Sequence, residues 1–266
     1  MFLLYVDDMI ITGDNDAEIT CLQDALIVHF EIKSLGEASY FVGLEIEKSD
    51  GYFVSQKGYA ARLLTRFRMR ESKAMSTPME TCLKLIKNKG KPMEDAILFR
   101  QLVGSLFYLT ITRLDIAYSV GVISQFMDKP CEGHFIVAKQ ILRYVKGTLS
   151  FGLIYKQQVP FVLSGFVYAD WVGDVNDSRS TTGYCFNSGS AAVSWCSKKQ
   201  VTVSLSSCEA EYVAATMAAQ ECLRLKRLIQ ELSSAAFNYS VSIHCDNESA
   251  IKLARTKHIE THYHFV

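Results

Sequence analysis

Apolar and polar positions along the chain follow two different periods, and they change place several times. Phe2–Val6 and Met9–Thr12 are β-prone runs separated by Asp7 and Asp8, which predicts a hairpin with carboxylates at its tip. Residues 17–30 switch to helical spacing, with Ile19, Leu22, Leu26 and Phe30 on one face. Strands are predicted over Ser39–Lys48 and Tyr52–Ser55, joined through the turn dipeptide Asp50-Gly51, and Gly58–Arg68 is helical again. Residues 70–93 hold Pro78, Pro92 and the lysines 84, 87, 89 and 91 among few large apolar side chains, the pattern of an exposed irregular connector. Three helices follow near 94–111, 115–127 and 132–147. The first carries Leu98, Leu102, Leu106 and Leu109; the third sets Ile136, Ile141, Leu142 and Val145 against Lys139, Arg143 and Lys146, with Gly147 to cap it.

From about residue 151 the pattern changes again. Phe161–Asp170, Gly183–Asn187, Ala191–Ser197 and Val201–Leu205 alternate as strands, a long helix runs from 207 to about 232, and Val241–Cys245 and Asn247–Arg255 add a strand and a helix. Ser206 followed by Glu209 is a capping box that marks the start of the long helix. Strands, helix, strand, helix give a mixed five-stranded sheet in an α/β (α+β) chain, with units expected over 1–150 and 151–266.

Composition narrows the picture. Apolar residues make up 49% of the 266, enough for a real core, while 28 basic and 28 acidic side chains cancel and leave only local patches for nucleic acid. Eight cysteines are scattered with no C-x-x-C, so they read as reduced thiols in a cytoplasmic or nuclear setting rather than as disulfides or zinc knuckles. The opening apolar run is short and has no basic leader, so secretion is not expected. Nor does any stretch reach the roughly 20 apolar residues of a membrane span.

Three acids hold positions suited to chemistry. Asp170 and Asp246 each end a strand, where α/β sheets place their sites, and Glu211 lies in the second turn of the long helix. Glu209 is accounted for by the cap. Ala210, Ala214, Ala215, Ala218 and Ala219 are small, so the helix can press against the sheet and carry Glu211 toward the aspartates. A lone acid is ordinarily a solvated surface charge. Acids brought together need a hard divalent cation, usually Mg²⁺, and two such ions can activate water for phosphodiester cleavage.

The ordered motifs resemble one family. YVDD (5–8) between apolar runs resembles the catalytic motif of a reverse transcriptase, and FEIKSLGEASYFVGLEI (30–46), SQKGYAARLL (55–64), STPM (76–79), YLTITRLDIAYSVG (108–121) and LRYVKGT (142–148) resemble the polymerase of copia-type retrotransposons. YADWVGD (168–174), SRSTTGYCF (178–186), VSWCSKKQ (193–200), LSSCEAEYVA (205–214), CDNESAI (245–251) and TKHIETHYHFV (256–266) resemble the RNase H domain of the same Pol polyproteins. The resemblance covers essentially the whole chain.

That resemblance implies a reverse-transcriptase palm remnant, thumb and connection, followed by an RNase H-like domain. It makes Asp7 and Asp8 the metal-binding aspartates of the palm motif, and Asp170, Glu211 and Asp246 the metal-binding carboxylates of the RNase H site, with Glu260 as the fourth acid. His258 and His264 fall in the same motif as Glu260, near substrate. Ser206, Ser207 and Asn247 adjoin the carboxylates and suit reading of a ribose 2′-hydroxyl.

The family's TRPDI is here Thr112-Arg113-Leu114-Asp115-Ile116, which loses a proline at a helix start. The expected activity is Mg²⁺-dependent cleavage of the RNA strand of an RNA–DNA hybrid, by two ions for which Mn²⁺ can substitute. Polymerase activity is expected to be absent, because nothing precedes the YVDD hairpin, and the last motif is cut short. The expected partners are the hybrid and the rest of the polyprotein, in a cytoplasmic virus-like particle or the nucleus. The alternative is a non-catalytic relic that at most binds nucleic acid.

Other signals are weaker. His258 and His262 have metal-face spacing, but no third ligand is near them in sequence, so zinc is not expected. Arg62–Arg70, Lys198-Lys199 and Arg224–Arg227 suit phosphates or an ordinary solvated face equally well. Tyr168, Trp171, Tyr184 and Trp195 flank the acids, and core packing is expected for at least two of them.

Overall fold

The computed structural model describes residues 2–6, 8–13, 15–30, 33–81, 83–232 and 240–256. The chain is of mixed α and β class, with three sheets among the described residues. The first is the hairpin of β1 (Phe2–Tyr5) and β2 (Asp8–Ile11), paired in register Tyr5↔Asp8. Helix α1 (Asp16–Phe30) follows, started by the Asn15 side chain, which accepts from Ala17 N–H at 3.0 Å. No side chain of α1 is buried, so its predicted apolar face has no core to meet.

The second sheet runs β3 (Tyr40–Phe41), β4 (Leu44–Lys48), β5 (Gly51–Ser55) and β6 (Leu153–Lys156), all antiparallel. Helices α2 (Lys57–Arg66), α3 (Ala96–Leu109), α4 (Ala117–Ser124) and α5 (Glu132–Gly147) pack around Leu63, Phe99, Leu102, Leu106, Ile123, Ile141 and Leu142. Helical spacing predicts most of this core face, but Ile136 is 66% exposed, and its neighbours Val137 and Ala138 are buried in its place. Among its described residues the connector 70–93 contains no helix or extended strand.

Between α3 and α4 a short 3-10 turn (Leu114–Ile116) occupies the place of the missing proline. It is fixed by Arg113, 3% exposed, whose guanidinium forks onto Asp115 (Nε–Oδ1 2.9 Å, Nη2–Oδ2 2.7 Å) and donates to Thr148 O at 3.0 Å and Thr148 Oγ1 at 2.6 Å. The Tyr144 hydroxyl donates to the same carboxylate at 2.8 Å. Two sequence motifs, TRLDI and LRYVKGT, thus form one clasp between the starts and ends of packed helices.

The third sheet has the order β10 (Ser242–Cys245), β7 (Ser164–Asp170), β8 (Thr181–Asn187), β9 (Ala192–Lys199). β10 is parallel to β7 and the other pairs are antiparallel. Helix α6 (Ser207–Leu232) covers one face through Ala210, Ala214, Ala218, Cys222 and Leu225, which meet Leu163, Val167, Ala169 and Phe186. Helix α7 (Glu248–Thr256) follows β10.

Among the described residues this sheet has four strands, not five, because Val201–Leu205 is not a strand. Its alternating Val201, Val203 and Leu205 point to solvent at 79%, 48% and 88% exposure. The segment instead serves the helix start. Gln200 Nε2 donates to Ala210 O at 2.9 Å, Ser204 Oγ donates to Gln200 Oε1 at 3.0 Å, and Leu205 N–H donates to Glu209 Oε2 at 2.7 Å.

The two larger sheets are joined at several points. Tyr155 of β6 donates to Ala192 O at 2.8 Å, and Trp195 Nε1 donates to Thr110 O at 3.1 Å. Helix α4 lies against β9, and Asn176 links the third sheet's loop to the connector through Leu85 O (3.0 Å) and Lys87 N–H (2.8 Å). No helix among the described residues is long and apolar enough to cross a membrane.

Candidate active site

The alanine face of α6 sets the site. With Ala210 and Ala214 fully buried against the sheet, Glu211 is carried to the end of β7, where it is 4% exposed. Its Oε1 accepts the Ala169 N–H at 2.9 Å, and its Oε2 faces the Cys245 thiol at 3.8 Å. Parallel pairing places Cys245 opposite Val167, so Asp246 emerges beside the same strand end. Ligand atoms of Glu211, Cys245 and Asp246 all lie within 4.8 Å of one another.

The electrostatics are those of crowded acids. Burial pushes the Glu211 carboxyl above its ordinary value; the Ala169 N–H opposes this, and the Asp246 charge adds to it. Burial, with help from Glu211 and Asp246, also pushes the Cys245 thiol up, although the Asn247 backbone pulls the other way. Cys245 therefore stays a neutral thiol that donates to Glu211, which leaves carboxylate oxygens as the donor set. Hard oxygens that repel one another fit a hard divalent cation and not a soft one.

Asp170 ends β7 as predicted, but it is not in the 4.8 Å group. Its carboxylate packs against Gly173, where a Cβ would collide with it. The intervening turn is held by Trp171 Nε1 to Ser204 O (3.2 Å) and by Val172 N–H to Ser180 Oγ (3.3 Å). Val172 has φ +55°, a conformation that a β-branched residue adopts only under constraint. The three acids share one neighbour: the Tyr168 hydroxyl is pushed up first by burial, then by Asp170, Glu211 and Asp246.

Other candidates have structural roles. Ser206 Oγ caps α6 by accepting Glu209 N–H at 3.1 Å, and Glu209 reaches back to Leu205 N–H rather than to that of Ser206. Ser207 opens α6 and is exposed. Asn247 caps α7, its Oδ1 accepting Ala250 N–H at 2.9 Å. Asp8 opens β2 and is exposed. Asp7, His258, Glu260, His262 and His264 lie outside the described residues.

Lys199 is no phosphate hook. It bridges Asp174 and Asp177, the latter at 2.7 Å, with its side chain 16% exposed. Of the flanking aromatics, Tyr184 and Trp195 pack against core clusters, while Tyr168 and Trp171 are 56% and 47% exposed. Cys245 and Gly173 were missed in the sequence as parts of the site. Only their adjacency to Asp246 and Asp170 could have flagged them.

A mixed α+β chain that gathers strand-end acids under a helix is the class the geometry defines, and comparison with known proteins makes it specific. Residues 1–81 match the family described as reverse transcriptase (RNA-dependent DNA polymerase). The retrovirus-related Pol polyprotein from transposon TNT 1-94 of Nicotiana tabacum is 40% identical over all of this chain and 21% of its own length. That from transposon RE1 of Arabidopsis thaliana is 39% identical over 99% of this chain and 18% of its own. An uncharacterized mitochondrial protein of Arabidopsis thaliana is 40% identical over 82% of this chain and 91% of its own length. No solved structure matches. The chain belongs to the copia-type family of retrovirus-related Pol polyproteins. It spans about a fifth of the length of the Pol polyproteins it matches.

Proposed function

We propose that the third sheet with α6 and α7 is an RNase H-like unit that cuts the RNA strand of an RNA–DNA hybrid with Mg²⁺, and that the preceding residues are palm, thumb and connection of a reverse transcriptase. The observation that carries this reading is the pairing of Glu211 with Asp246 at the end of β7, where burial and like charge work against both carboxylates being ionised without a cation.

Glu211 Oε2, Asp246 and Asp170 would hold the metal. When bound, Mg²⁺ or Mn²⁺ lowers the pKa of the attacking water and offsets charge on the phosphate. The protein's own contribution is positional. Ala169 N–H fixes Glu211 by one oxygen and leaves the other for the site. The Cys245 thiol orients that second oxygen. Gly173 gives the Asp170 carboxylate its seat. The hybrid is the substrate and the rest of the polyprotein the natural context, with the cytoplasmic particle or nucleus as the place of action.

The test is incubation of the full chain with a labelled RNA–DNA hybrid and Mg²⁺, beside Asp170→Asn and Asp246→Asn. RNA-strand cleavage that vanishes in both variants is expected. No cleavage by a folded protein would assign the chain to the non-catalytic relics.

A further inference from the structure

The face of the third sheet opposite α6 is open beside the acids. Residues paired across β7, β8 and β9 point to the same face, so Tyr168, Gly183 and Ser197 form one row on it. Thr182, next in sequence to Gly183, turns the other way and is buried against Gln200. A Cβ built on Gly183 would meet nothing nearer than backbone oxygens at 3.8 and 4.0 Å. The row therefore has a bare floor between a tyrosine on one side and a serine on the other.

Helix α4, which packs on β9, closes the far side of this row. A Cβ on Gly121 would stand 3.2 Å from Ser197 O and 3.7 Å from its Oγ, and Gln125 accepts from Lys199 Nζ at 3.0 Å. One turn before Gly121, Tyr118 is 51% exposed. Tyr118 and Gly121 are three apart on α4 and so share one face of the helix, the face that Gly121 turns toward Ser197 of the sheet. Tyr118 and Tyr168 both carry a hydroxyl that can donate a hydrogen bond. Each leaves about half of its surface in solvent.

We propose that Tyr118 and Tyr168 are the two walls of a nucleotide slot floored by Gly183, which seats the sugars of the hybrid next to the scissile phosphate. The inference rests on the nuclease reading and adds to it a positioning residue supplied by the polymerase-like half. Tyr168 and Asp170 are two apart on one strand, so they share a face, and a strand held at Asp170 runs on over Tyr168. The wide minor groove of an A-like hybrid presents sugars and 2′-hydroxyls, which suit flat rings that carry a hydroxyl donor. Rings packed on sugars also hold nucleotides without reading base edges, as such a nuclease requires.

The test separates binding from cleavage. Anisotropy of a labelled RNA–DNA hybrid is measured with the full chain in EDTA, and kcat and KM are measured in Mg²⁺. Tyr118→Ala should weaken hybrid binding about tenfold, and Tyr118→Phe much less. KM should rise more than kcat falls. Gly183→Val fills the slot from its floor, where a first side-chain atom has room, and should weaken binding to a similar extent with the melting temperature retained. Unchanged hybrid affinity in folded Tyr118→Ala and Gly183→Val overturns the slot, even if Asp246→Asn abolishes cleavage and the nuclease reading stands. Slot-dependent binding by a wild type that never cleaves would keep the slot and remove the nuclease.

Discussion

Two charged clusters in this molecule, each built on one buried side chain, Arg113 and Glu211, follow opposite plans. Around Arg113 every charge has a partner: the guanidinium forks onto Asp115, caps the end of α5 at Thr148, and lies 5.7 Å and 5.4 Å from the Tyr144 and Phe151 rings. Around Glu211 the neighbours are another carboxylate, a neutral thiol and one backbone N–H. The first arrangement is closed and holds helices together. The second leaves like charges facing one another, which the proposed cation would offset. A site differs from a clasp by the charge it leaves unbalanced.

The clasp is the easier to break. Arg113→Met should cost about 2–3 kcal/mol, because it removes the hydrogen bonds of a charged group that is 3% exposed and leaves the Thr148 carbonyl without its donor. Urea unfolding of the variant beside wild type measures this. A loss below about 1 kcal/mol would show that the pair contributes no more than a surface ion pair.

The acid cluster should respond in the opposite sense. Asp246→Asn removes like charge from Glu211, so the metal-free protein should melt higher, while hybrid cleavage in Mg²⁺ should fall by about 10²–10³-fold. pH sharpens the contrast. The folded pKa of Glu211 is raised, so the folded state holds its proton above the ordinary value of 4.5. Stability in EDTA should therefore fall as pH climbs from that value through the raised one, and Glu211→Gln should flatten the fall. Asp174 has the reverse sign. Burial alone would raise it, yet hydrogen bonds from Lys199 and Asn176 leave its pKa lowered, so its contribution is lost only as pH drops below the ordinary value of 3.8. Melting curves in EDTA across the acid range report both slopes.

Next in size is the seat of Asp170. Gly173→Ala places a methyl where the carboxylate lies and must swing Asp170 aside. A displacement of about 1 Å at a catalytic group can cost about 10²-fold, and cleavage by this variant should fall by that order while binding of the hybrid persists. Cleavage at the wild-type rate would mean that Asp170 works from another rotamer.

How far these features could be read in the sequence depended on their range. The alanines of α6 and the Ser206 cap are local signals, and they placed Glu211 correctly against the sheet. Val201–Leu205 shows the limit of such reading. Its alternation of valine and leucine with polar residues is that of a strand, but Gln200, Ser204 and Glu209 satisfy its polar groups as the approach to a helix. Lys198-Lys199 looked like one basic patch, yet Lys199 is engaged by Asp174 and Asp177 across the sheet edge. Tyr118 lies about fifty residues from Asp170 in sequence, on a helix whose core partners are α3 and α5. Only the packing of α4 on β9 brings them together, and no local period encodes that.

The smallest effect tests a single side chain with two possible duties. Asn247 caps α7 and stands next to Asp246. Asn247→Ala should cost about 1 kcal/mol through loss of the cap. A serine also caps well, so Asn247→Ser should recover most of that stability while lacking the amide donor. If the amide reads a 2′-hydroxyl, both variants lose preference for the hybrid over duplex DNA, although only the alanine variant is destabilised. Should Asn247→Ser keep the wild-type preference, the residue is a cap alone, and discrimination of RNA then falls to groups lining the Gly183 row.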